Sequence, residues 1–101
     1  MSDNKSKAVE AKNRGNAFFQ ANKHTEAVAA FSLAIELDPT EHVYYSNRAA
    51  SYTALSKFPE AVADANKCIQ LKPDWSKGFS RLGAAHFVAK NYAEAVRGAF
   101  V

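Results

Sequence analysis

Residues 72–85 read Lys-Pro-Asp-Trp-Ser-Lys-Gly-Phe-Ser-Arg-Leu-Gly-Ala-Ala. Pro73 and Asp74 stop one helix and start the next, because proline cannot continue a helix and aspartate favours a helix start. Lys77 and Arg81 then lie four residues apart, on one face of the new helix and one turn from each other. Like charges at that spacing repel by about 0.2–0.5 kcal/mol. Such a pair is either a solvated basic face or half of an anion site, and the arrangement of the rest of the chain decides between the two.

Reading outward from this stretch, the chain repeats itself every 34 residues. Pro39 precedes Pro73 by one period. Ala27 leads to Ala61 and Ala95, Gly15 to Ala49 and Gly83, and Phe18 to Tyr52 and His86. Each series keeps one physical type, which is the signature of a stacked repeat protein. Within a period the apolar spacing is helical. Phe31, Ala34, Ile35 and Leu37 form one stripe ending at Pro39, and Ala61, Val62, Ala65, Cys68, Ile69 and Leu71 form the next. Short polar breaks fall at 21–23, 55–57 and 89–91. The pattern predicts six helices, near 5–21, 24–37, 41–55, 58–71, 75–89 and 92–101, and no strand.

The small residues Gly15, Ala49 and Gly83, with Ala27, Ala61 and Ala95, let helix axes approach. The rings of Phe18, Phe31, Tyr52, Phe58 and Tyr92 fill the space between them. One helix pair cannot bury its own apolar face, so neighbouring pairs must stack. These positions resemble the tetratricopeptide repeat, from about Ala8 to the end of the chain. The resemblance implies an all-α, right-handed superhelix: one domain over 1–101 with repeats at about 8–41, 42–75 and a truncated 76–101. Three features depart from the pattern: Ala11 at an aromatic position, His86 at a ring position, and an incomplete third repeat.

Composition sets bounds on function. The chain has 101 residues, 48% hydrophobic and 23% charged, with a net charge of +3. These values suit a single globular domain. The charge is too mild for a nucleic-acid binder. The N-terminus is polar, with no signal peptide or membrane span to read, so the expected location is the cytoplasm. Cys68, the single cysteine, sits where a second helix needs a small buried residue. His24, His42 and His86 share no ligand spacing, so neither a metal nor another cofactor is expected. No nucleophile–base pair stands out, so no enzyme activity is read.

With each repeat counted from Ala8, His42 and Ser76, one face of each first helix lines the inner wall that the repeat fold implies. It carries Lys12 and Asn16 in the first repeat. In the second it carries Ser46, Asn47, Ala50 and Ala54, and in the third Lys77, Ser80, Arg81 and Ala84. Cationic and amide donors therefore surround a low floor of Ser46, Ala50, Ser80 and Ala84, with no carboxylate among them. That chemistry suits a peptide ending in Asp or Glu, which places two carboxylates side by side.

Lys12, Asn16, Asn47, Lys77 and Arg81 are similar to the five-residue carboxylate clamp of co-chaperone tetratricopeptide domains. The segments 45–50 and 72–81 look most like the N-terminal repeat domain of the stress-inducible organising co-chaperones. This resemblance implies that the chain binds the C-terminal Glu-Glu-Val-Asp of heat-shock protein 70. The alternatives are the heat-shock protein 90 tail and a general protein–protein scaffold. Trp75 is expected to pack at its helix start, and Arg48 to be a surface charge. The family normally adds one more helix, so the chain reads as a fragment whose last helix is expected to expose an apolar strip, fray, or pair weakly with a second copy of itself.

Overall fold

The computed structural model describes residues 3–98, which form five helices. They are α1 (Asp3–Gln20), α2 (His24–Leu37), α3 (His42–Ala54), α4 (Phe58–Leu71) and α5 (Ser76–Gly98). α1 pairs with α2 and α3 with α4, while α5 lies against both α3 and α4. None of the described helices is long and apolar enough to cross a membrane.

The breaks inside the two pairs are built alike. Asn22 and Ser56 adopt left-handed backbone, with φ of 62° and 61°. Around Asn22, the Lys23 amide donates to Phe18 O at 2.8 Å and the Asn22 amide to Phe19 O at 3.0 Å. Around Ser56, the Lys57 amide donates to Tyr52 O at 2.9 Å and the Ser56 amide to Thr53 O at 3.0 Å. This Schellman arrangement satisfies the last carbonyls of α1 and α3 and turns the chain back at once.

The third break, expected at 89–91, is absent. α5 runs unbroken for 23 residues, so the helices expected at 75–89 and 92–101 are one helix as far as Gly98. Residues 99–101 lie outside the described region. The repeat counterpart of Asn22 and Ser56 is Lys90. Left-handed backbone costs an L-residue about 1–2 kcal/mol, and a short polar side chain offsets part of this by bonding locally. Lys90 has no such side chain, and staying helical keeps the i to i−4 hydrogen bonds through the position. The described residues therefore form two helix pairs and a single long fifth helix.

Close approach holds the pairs together. A Cβ built on Gly15 would stand 2.5 Å from Phe31 Cε1, so α1 and α2 touch with only a hydrogen between them. Ala27 and Ala61 are fully buried and Phe31 nearly so. Cys68 is also fully buried, and burial raises its thiol pKa; it packs as a small apolar residue. A Cβ on Gly78 would meet Ile69 Cγ1 at 3.0 Å and Cys68 Sγ at 3.3 Å, which seats the first turns of α5 on α4. Gly83 differs from Gly15 and Ala49: nothing lies within 4 Å of its Cβ position. Phe79, Phe87 and Tyr92 on α5 remain 53%, 65% and 55% exposed. The ring of Tyr92 meets Phe58 edge-on at 5.9 Å but does not fill the core.

Arg48 is a frame residue and not the surface charge that its position suggested. Its Nε donates to Asp64 Oδ2 at 2.7 Å and its Nη2 to Asp64 Oδ1 at 2.8 Å, while Nη1 donates to Ser32 Oγ at 3.0 Å. Asp64 is only 5% exposed. The guanidinium also lies over the rings of Tyr45 and Tyr52 at 6.0 and 5.6 Å. One side chain on α3 thus ties α2 and α4 together.

The two glycines predict opposite responses to the same change. Gly15→Ala forces Phe31 or the helix axes to move and should destabilise by about 1–3 kcal/mol. Gly83→Ala meets open space in an exposed helix and should stabilise by up to about 1 kcal/mol. Urea unfolding of both variants checks this; a Gly83→Ala variant as damaged as Gly15→Ala would mean that another helix covers α5.

Candidate functional site

The first helices α1, α3 and α5 bring three of the five clamp positions, Asn16, Asn47 and Arg81, and the floor residue Ala50 to one cleft. It has a volume of about 90 Å³ and is lined by Asn16, Phe19, Phe31, Asn47, Ala50 and Arg81. That is small beside the roughly 300–1,000 Å³ of small-molecule pockets, and suits a carboxylate with a short stem. Asn47 Nδ2 donates to Asn16 Oδ1 at 3.4 Å, a long bond that joins α1 to α3 at the cleft. Lys12 and Lys77 are not lining residues. They sit one helical turn from Asn16 and Arg81, on the same faces.

Ala50 is half-buried at the cleft, whereas Ser80 and Ala84 are exposed on α5 outside it. Ser46 is not part of a floor. It is fully buried beneath the groove, where its Oγ accepts a hydrogen bond from Arg81 Nε at 3.1 Å. Phe19 and Phe31 are lining residues that sequence reasoning did not assign to the site. Phe19 lies three residues after Asn16, so helical spacing alone placed it on this face. Phe31 carries no such signal, because its ring also fills the α1–α2 contact.

Trp75 packs at the start of α5, as expected. His42 meets its ring edge-on at 4.6 Å, and Lys77 Nζ lies 5.8 Å from its centre. That cation–π contact gives the Lys77 ammonium a resting place in the ligand-free protein.

The electrostatics separate two half-buried arginines. The hydrogen-bonded carboxylate of Asp64 raises the pKa of Arg48, against the opposing effect of burial. Burial lowers the pKa of Arg81, which stays protonated at any ordinary pH. The ion pairs among the described residues are Arg48–Asp64 and Lys72–Asp74, with His42 Nδ1 lying 3.0 Å from Glu41 Oε1, and none of these contacts includes Arg81. A guanidinium that has lost part of its water and gained no carboxylate is poised to take one from outside.

The tetratricopeptide repeat pattern matches residues 8–41. The first tetratricopeptide domain of Spaghetti (RPAP3), solved with the HSP90 peptide SRMEEVD, is 35% identical; the match has a TM-score of 0.82 and covers 90% of this chain and 72% of that one. This chain belongs to the tetratricopeptide-repeat family. The TPR2B domain of yeast Sti1, solved with an Hsp70 peptide, matches this tetratricopeptide domain at 37% identity and a TM-score of 0.81, covering 91% of this chain and 74% of that one. Protein STIP1 homolog of Dictyostelium discoideum is 52% identical over 46 residues, which make up 46% of this chain and 8% of that protein. The tetratricopeptide domain thus spans a small part of that curated relative.

The contrast between the arginines predicts a split in stability. Arg48→Ala leaves Asp64 buried and unpaired and should cost about 3–5 kcal/mol. Arg81→Ala removes a desolvated charge with no carboxylate partner and should change stability by about 1 kcal/mol or less. Thermal melts of both variants, followed by circular dichroism, check the difference.

Proposed function

We propose that this tetratricopeptide domain is a co-chaperone docking module that captures the C-terminal Glu-Glu-Val-Asp tail of heat-shock protein 70. The observation that carries this reading is Arg81: half-buried, without a carboxylate partner among the described residues, and lining a cleft with Asn16 and Asn47. In the proposed complex, Asn16 and Asn47 hold the terminal carboxylate by their amides, with Lys12 adding charge from the next turn. Arg81 and Lys77 hold the aspartate side chain, and Lys77 leaves the Trp75 ring to do so. The apolar faces of Phe19, Phe31 and Ala50 exclude water around these bonds, which strengthens them. Each charge-assisted bond contributes about 1.5–3 kcal/mol. The module acts in the cytoplasm by binding and catalyses nothing.

The related complexes support both chaperones as partners for the family, since one neighbour is solved with an HSP90 peptide and another with an Hsp70 peptide. The preference for heat-shock protein 70 rests on the likeness of segments 45–50 and 72–81 to organising co-chaperones. A second reading is favoured by α5. Val88, Tyr92 and Val96 follow one another at every fourth position of α5 and are all exposed, an apolar strip that supports weak self-association of the domain at high concentration.

Calorimetric titration with the two tail peptides tests the reading. The affinity should be about micromolar, tighter for the heat-shock protein 70 tail, and weaker as salt rises, because the contacts are partly exposed ion pairs. Lys77→Ala and Arg81→Ala should each lose about tenfold to a hundredfold in affinity with helix content intact. Unchanged affinity in either folded variant, or affinity indifferent to salt, contradicts the clamp.

A further inference from the structure

Ser46 carries a role that its burial makes specific. It has no accessible surface, so no ligand touches it. Its neighbours on α3 are Tyr45, itself buried, and Asn47, which lines the cleft. Its one contact with the site is the 3.1 Å bond that its Oγ accepts from Arg81 Nε. An arginine offers two faces to a carboxylate: the side-on Nε/Nη2 edge and the end-on Nη1/Nη2 edge. Arg48 shows the side-on choice within this same chain, since its Nε and Nη2 both bond Asp64. In Arg81 the Nε is already spent on Ser46, which leaves the end-on edge for an anion.

We propose that Ser46 is a positioning residue for the anion site: its buried hydroxyl holds Arg81 by Nε and so fixes which edge of the guanidinium meets the ligand carboxylate. The proposal rests on the docking reading for the identity of the ligand, but not for the bond itself. A long side chain with several rotatable bonds is anchored close to its charged end before the ligand arrives. The ligand then orders less of it on binding, and a rigid fork gives better geometry than a mobile one. Arg81 stands on α5 and Ser46 on α3, so the bond also sets the distance between the α5 cation and the α3 amide of Asn47. The hydroxyl is a neutral acceptor, which holds the guanidinium without cancelling its charge. An aspartate at this place would pair with the guanidinium and cancel its charge, as Asp64 does that of Arg48.

The test has a ligand-free arm and a binding arm. In the free protein, the Arg81 Nε–H resonance should be shifted from the exposed-arginine position and protected from exchange with water. Ser46→Ala should move it to the exposed position. In titrations with a Glu-Glu-Val-Asp peptide, Ser46→Ala should weaken binding by about threefold to tenfold. Ser46→Cys, which fills the site with a slightly larger group but offers only a weak acceptor, should do the same and serves if Ser46→Ala folds poorly. In an Arg81→Lys background, which lacks the Nε donor, the Ser46 changes should add no further loss. An unmoved Arg81 resonance, or an equal loss of affinity in both backgrounds, overturns the proposal. Should the wild-type domain bind no such peptide, the docking reading falls, and the resonance of Arg81 in Ser46→Ala decides the positioning assignment alone.

Discussion

The bidentate bond between Arg48 and Asp64 is the interaction on which the frame depends. It lies between α3 and α4, and the third donor of the same guanidinium reaches Ser32 on α2. Breaking such a pair by removing one partner costs far more than the pair contributes against an apolar replacement, because the survivor remains buried and charged. The geometry of the pair therefore fixes the relative setting of three helices. With α3 held from behind, its opposite side is free to present Asn47 and to bury Ser46 under the groove. The ion pair ties the two helices of the second repeat, and the bond to Ser32 carries the same guanidinium across to the first.

The two half-buried arginines then divide the work. Arg48 is neutralised from within the chain and belongs to the scaffold. Arg81 is desolvated, bonded by a neutral hydroxyl, and left with its charge. The same residue type gives frame in one place and a receptive site in the other, and the difference is the presence or absence of a buried carboxylate. Gly78 completes the arrangement, since its close approach to Cys68 and Ile69 sets the depth at which Lys77 and Arg81 stand on α5.

Much of this was legible in the residues. The 34-residue spacing of Pro39 and Pro73, and of the small and ring positions, gave the helix pairs and their order. The donor positions Asn16, Asn47 and Arg81 could be aligned because each sits at a fixed place in its repeat. Three things were hidden. The third break failed because Lys90 lacks the local chemistry that Asn22 and, less obviously, Ser56 bring to a left-handed turn; small apolar periodicity says nothing of that. Arg48 looked like a surface charge because its partner Asp64 stands sixteen residues away on another helix, where helical spacing cannot connect them. Ser46 shares the periodicity of the groove, yet it lies under the groove, where the Arg81 side chain reaches it from α5, a contact between helices that spacing along one helix does not reveal.

The central claim is that the groove reads a peptide's free C-terminus through two adjacent carboxylates. The most direct measurement compares one Glu-Glu-Val-Asp peptide as the free acid and as the C-terminal amide, by calorimetry at fixed ionic strength. The account predicts binding of the acid and a loss of about tenfold or more for the amide, since one charge-assisted contact of about 1.5–3 kcal/mol disappears with the terminal charge. Equal affinity for the two peptides would contradict the account, because a groove that reads side chains along an internal segment has no use for the terminal carboxylate.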